Sequence, residues 1–115
     1  MSDNRFPKEN RLLKEEDFSR VYREGDRVTG ELFVFHLLKT DEPGTMIGIV
    51  TPKYIGKAAK RNRVKRIIRE AFRKNKEVFE GYDFIVRPKQ DVTAYESEAI
   101  SDKFFSDFRS QLEAE

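Results

Sequence analysis

Eleven lysines and arginines and a single acid, Glu70, lie between Lys53 and Lys76, so this stretch carries +10. The remaining residues hold twelve basic and twenty acidic side chains, and their −8 is hidden inside a formal net charge of +2. Basic side chains at such density neutralise polyanions, because each phosphate they meet releases its condensed counterions. Arginine's planar fork also suits bidentate contact with phosphate or a base edge. The candidates are Lys57, Lys60, Arg61, Asn62, Arg63, Lys65, Arg66, Arg69 and Arg73. The bland alternative is a solvated charged face, and the opposite charge bias of the rest of the chain argues against it.

Asn62 is the uncharged polar side chain within this group. It can donate and accept, which suits a base edge, a 2′-hydroxyl or a hydrated metal ion, and equally a hydrogen bond at a helix start. Gly56 and the Lys57-Ala58-Ala59 lead-in would let a helix N-terminus approach a phosphate, although Gly56 also reads as an ordinary turn residue.

The inventory for protein-borne catalysis is thin. There is one histidine and no cysteine, and no HExxH, GxxxxGK[ST] or carboxylate cluster beside a base. His36 reads as a strand residue at a pocket or surface. Glu15-Glu16 and Asp41-Glu42 are adjacent pairs that diverge on a helix or turn and suit solvation. Phe18 and Tyr22 could stack single-stranded bases, but helical spacing makes them core residues first.

The elements that position these groups follow from periodicity. Val64, Ile67, Ile68, Ala71 and Phe72 recur at the spacing of a buried helical stripe. At about 100° per residue, Asn62, Lys65, Arg66, Arg69 and Arg73 share a separate face. Lys65, Arg69 and Arg73 stand four apart, where like charges oppose the helix by about 0.2–0.5 kcal/mol per pair. A fold shaped by stability alone would mix acids into that row.

At 115 residues the chain predicts one domain, residues 1–115, with a core of Phe, Ile, Leu and Val and no disulfides. Residues 1–10 read as a flexible arm. A helix is expected from about Lys14 to Glu24, stopped by Gly25, and a strand from Leu32 to Lys39 with a short one near Arg27 to Thr29. The Asp41-Glu42-Pro43-Gly44 turn predicts an antiparallel hairpin with Met46 to Val50. Beyond the basic helix, a strand from Tyr82 to Val86 closes at Arg87-Pro88. Thr93 and Glu96 then resemble a capping box for a last helix presenting Ile100, Phe104, Phe108 and Leu112.

This order predicts an α+β single-domain sandwich with a mixed sheet, in which the strands flanking the basic helix pair in parallel. Such crossovers are right-handed in about 98% of cases. No apolar run reaches the ~20 residues of a membrane span, the start is too polar for a signal peptide, and a cytoplasmic location is expected.

The run Gly56, Lys57, Ala58, Lys60, Arg61-Asn62-Arg63, Lys65-Arg66 and Arg69-Glu70 resembles the signature of the bacterial ribonuclease P protein subunit. Arg11-Leu12, Asp17-Phe18, Val21-Tyr22, Gly25, Phe33-Val34, Gly48-Ile49-Val50 and Tyr82-Asp83-Phe84-Ile85-Val86 fall in the same order as in that family. The resemblance implies a ribosomal-protein-like two-layer sandwich with a left-handed crossover. It also implies an accessory role beside a catalytic RNA that removes the 5′ leader of precursor tRNA with magnesium, bound mainly by RNA.

Two RNA surfaces would follow: the basic helix, led by Arg61, Asn62 and Arg63, for the catalytic RNA, and a cleft for the leader. Phe18, Tyr22, Val34, His36 and Lys53 occupy the family's cleft positions, with Lys65 and Arg69 at its border. No membrane and no obligate protein partner are expected. Two departures stand out: Thr51-Pro52-Lys53-Tyr54 where Ser-Lys-Lys is common before the glycine, and His36 where tyrosine is common. The competing readings are a structural RNA-binding protein of ribosomal type, a protein-only nuclease and a duplex-DNA binder.

Overall fold

Glu15, Glu16 and Asp17 in the first turn and Arg23 in the last complement the dipole of helix α1 (Glu15–Glu24). The Gly25 N–H closes the helix on the Val21 carbonyl at 2.9 Å. A Cβ at Gly25 would stand 2.6 Å from the carbonyl oxygens of both Leu37 and Val21, so only glycine fits this close passage between helix and sheet. The computed structural model describes residues 15–41 and 45–113, with side chains described to residue 110. The arm at residues 1–10, the Glu42-Pro43-Gly44 part of the expected turn and the Leu112 side chain lie outside that description.

The elements after α1 are β1 (Asp26–Thr29), β2 (Phe33–Lys39), β3 (Ile47–Ile49), a 3-10 turn (Lys53–Ile55), α2 (Ala58–Lys74), α3 (Lys76–Phe79), β4 (Tyr82–Pro88) and α4 (Ser97–Glu113). The sheet order is β1-β2-β4-β3, with β1/β2 and β2/β4 antiparallel and β3/β4 parallel. The parallel pairing across the basic helix is as the sequence predicts. The predicted hairpin between Leu32–Lys39 and Met46–Val50 is not formed, because β4 lies between those strands. Burial explains the insertion. Asp83 to Val86 are buried in succession, as a central strand requires, whereas β3 is three residues long and suits an edge.

Alternation along the strands divides the sheet into two faces. Phe33, Phe35, Leu37, Phe84 and Val86 join residues of α2, α3 and α4 in the main core. Phe79 of α3 sits at its centre, with ring centroids 4.5 Å from Phe108, 5.4 Å from Phe72 and Phe84, and 5.5 Å from Phe104. On the opposite face α1 covers part of the sheet, packing Val21 and Phe18 beside Ile85 and Leu38. Arg20 reinforces this contact with an ion pair to Asp83 at 3.3 Å, and Asp83 also accepts the Met46 N–H at 3.0 Å.

Buried Asp107 fastens α4 to the β1–β2 turn. Its carboxylate accepts the N–H groups of Glu31, Leu32 and Phe33 at 2.9, 2.9 and 3.1 Å. A Cβ on Gly30 would fall 2.3 Å from its Cγ, so the turn needs glycine there. The predicted Thr93/Glu96 capping box does not form. The Thr93 N–H and hydroxyl both go to Asp91 Oδ1, at 2.9 and 2.6 Å, and α4 begins only at Ser97.

Candidate nucleic-acid interface

The stripe that anchors α2 is the predicted one: Val64, Ile67, Ile68, Ala71 and Phe72 are its buried residues. What remains outward is cationic. Lys57, Lys60, Asn62 and Arg66 are exposed, while Arg61, Arg63, Lys65, Arg69 and Arg73 are half-buried. The helix enters from Gly56, whose φ of 122° is open to glycine, and its Lys57 N-cap makes no side-chain hydrogen bond. The N–H groups of the first turn are thus left uncapped by the chain. At the other end Glu70, the sole acid of the stretch, pairs with Arg73 at 3.0 Å and Lys74 at 3.7 Å. Both are exposed pairs of the kind worth about 1 kcal/mol or less, so they soften the repulsion without cancelling the field.

The Arg61 and Arg73 Nε atoms are buried without a hydrogen-bond partner. The Arg73 guanidinium end is engaged by Glu70, whereas the Arg61 fork suits bidentate contact with an anion. Arg63 behaves differently: it donates to the Thr93 and Tyr95 carbonyls at 3.1 Å each and to the Ser97 hydroxyl at 3.4 Å. The predicted basic group therefore divides into side chains directed outward and one that faces the loop before α4.

The second group lies on the sheet face that carries α1. His36 of β2 is paired across the sheet with Arg27 of β1 and Ile85 of β4, and Val34 with Thr29 and Arg87. Cross-strand partners share a face, so Arg27 and Arg87 flank the histidine. Tyr22 reaches over from α1 and meets the His36 ring edge-on, at 4.7 Å between centroids and 73°. Tyr22 is 46% exposed, Phe18 is half-buried against the α1 cluster, and Val34 is buried. Lys53 is exposed on the 3-10 turn. The neighbouring Tyr54 hydroxyl donates to the Pro88 carbonyl, tying that turn to the sheet end that holds Val34 and Arg87.

Burial, and then the charges of Arg87 and Arg27, hold the His36 pKa below its usual value. The imidazole is consequently neutral near pH 7 and presents an aromatic edge with one donor and one acceptor. An exposed tyrosine, a neutral histidine and two flanking guanidinium groups suit a single strand, with rings for bases and cations for the backbone. The sequence reading missed Arg27 and Arg87. Alternation from Asp83 would have put Arg87 on this face, had the strand been extended one residue past Val86.

A family model described as Ribonuclease P matches residues 6–110. The ribonuclease P protein component of Chlamydia abortus is 37% identical over 111 residues, covering 86% of this chain and 80% of that protein. The solved RNase P protein of Staphylococcus aureus superposes with a TM-score of 0.81 at 28% identity, covering 89% of this chain and 94% of that one. The RNase P protein of Thermotoga maritima gives 0.75 at 32% identity, covering 84% and 92%. The order of elements, the cation-faced helix and these matches along nearly the whole chain agree, and the chain belongs to the ribonuclease P protein component family.

Proposed function

We propose that this subunit of the endoribonuclease that matures the tRNA 5′ end offers two RNA surfaces on opposite sides of its sheet. The basic face of α2, with Arg61 and Asn62 at its start and Arg66, Arg69 and Arg73 along it, binds the catalytic RNA. The Tyr22–His36 platform, with Phe18, Val34, Arg27, Arg87 and Lys53 around it, receives the single-stranded leader of precursor tRNA. On the family resemblance, Lys65 and Arg69 are assigned to the border of the two.

The observation that carries this reading is the segregation of charge onto one helix whose apolar stripe is fully used by the core. The like charges crowded along it repel one another, so the free-energy return for that crowding comes from a polyanion. The chain's residues bind and orient, and we assign none of them to bond cleavage. Among the described residues no group of three or more His, Cys, Asp or Glu could hold a metal ion. The family resemblance implies magnesium held mainly by RNA, where it would supply the activated water. Among the same residues no helix is long and apolar enough to cross a membrane. A cytoplasmic location and a single domain without an obligate protein partner complete the proposal.

The test is magnesium-dependent leader removal by the cognate RNA at physiological salt, with and without the protein. The reading requires higher substrate affinity or turnover with the protein, and a larger gain for substrates with a leader. Absence of both gains removes it.

A further inference from the structure

Arg63 belongs to the Arg61-Asn62-Arg63 triplet, yet it projects about 100° away from Asn62 around the helix axis. Its fork is occupied by three acceptors, 30 to 34 residues away in sequence, at the entry to α4. Two of these are the Thr93 and Tyr95 carbonyls, and Arg63 supplies each with a charged donor. The loop is braced from within as well, since Asp91 holds the Thr93 N–H and hydroxyl. The Asp91 carboxylate also lies within electrostatic reach of Lys60. Moving Arg63 onto a phosphate would break three hydrogen bonds and strip two carbonyls of their partner.

The first turn of α2 needs such a brace. Its N-cap has no side-chain hydrogen bond and no acid stands in the turn to favour the dipole. Lys57, Lys60 and Arg61 meanwhile repel one another. A helix start of this kind frays unless packing or a tether holds it.

We propose that Arg63 is a positioning residue and not a phosphate contact: tied to the loop from Thr93 to Ser97, it orders the uncapped start of α2 and so presents Lys60, Arg61 and Asn62 to the catalytic RNA. The inference rests on the reading of α2 as an RNA surface. Its gain is preorganisation, because a side chain ordered before binding spares the complex the entropy of ordering it.

Arg63→Lys keeps the charge but loses the planar fork, and a single ammonium does not reproduce a planar bridge to three acceptors. Arg63→Lys, Arg63→Ala, Arg66→Ala and wild type are compared for affinity to the cognate catalytic RNA across a salt series. Amide hydrogen exchange is followed at residues 58–63 and 93–97. Both Arg63 variants should bind about tenfold more weakly, equivalent to ordering one or two long side chains. Their salt slope should match wild type and exchange should accelerate in both segments, while Arg66→Ala lowers the slope by about one.

Wild-type affinity of Arg63→Lys, or a slope loss in Arg63→Ala equal to that of Arg66→Ala, would overturn the proposal and leave the RNA surface standing. An Arg66→Ala protein with unchanged affinity and slope would instead overturn the RNA reading of α2, and this inference with it.

Discussion

The Tyr22 ring meets His36 edge-on at 4.7 Å between centroids, joining α1 to the centre of a sheet face flanked by Arg27 and Arg87. Tyr22 is 46% exposed and lies outside both hydrophobic clusters, so it contributes little to folding. Tyr22→Ala should therefore cost about 1 kcal/mol of stability or less, while removing about 1–3 kcal/mol of stacking with the leader. Binding to precursor tRNA with a leader and to mature tRNA, each in the presence of the catalytic RNA, checks this. The loss should appear only with the leader.

The lowered His36 pKa sets a pH dependence. The folded state holds the imidazole less protonated than the unfolded chain does, so neutral His36 is fully accommodated above the ordinary value of about 6.5. Its contribution to stability is lost as pH falls from there through the lowered folded value. Melting curves between pH 7.5 and 5 should show wild type losing more stability than His36→Gln. Parallel curves would remove the titration of His36 from the account.

Arg27 and Arg87 are assigned to the leader backbone. Each alanine variant should weaken binding of leader-bearing substrate and reduce the magnitude of its salt slope by about 0.7, the single-strand value for one phosphate. Binding of the catalytic RNA alone should keep its slope. Affinity titrations at four or five salt concentrations measure both.

Asp107 makes the opposite prediction, a loss of stability without an RNA phenotype in the protein that remains folded. Asp107→Ala leaves the N–H groups of Glu31, Leu32 and Phe33 without their acceptor. An unsatisfied buried donor costs about 1–3 kcal/mol, so denaturant unfolding should report a loss of at least about 2 kcal/mol. Phe79→Ala should cost about 3–5 kcal/mol, because four core rings close on that side chain.

Local periodicity made α2 legible, down to the five residues of its buried stripe, because helix phase is fixed within one segment. The parallel pairing of β3 with β4 followed from the helix between them. Sheet order did not, since the turn chemistry after Asp41 argued for a local hairpin while the competing partner, β4, lies over thirty residues away. The sheet register hid half of the sheet-face site. Tyr22 and His36 could be named from the family resemblance, but Arg27 and Arg87 reach the histidine only through the β1–β2–β4 register. Arg63 reads as one more cation in sequence, and its two carbonyl acceptors, Thr93 and Tyr95, belong to a loop where the capping-box reading starts a helix.

The most direct test of the central claim, that the outward face of α2 exists for RNA and not for the fold, is the salt dependence of catalytic-RNA affinity in Arg66→Ala measured beside its melting temperature. Arg66 is exposed, so the account predicts an unchanged or slightly raised melting temperature, weaker binding and a salt slope reduced in magnitude by about one. A lowered melting temperature with undiminished RNA affinity and slope would contradict it.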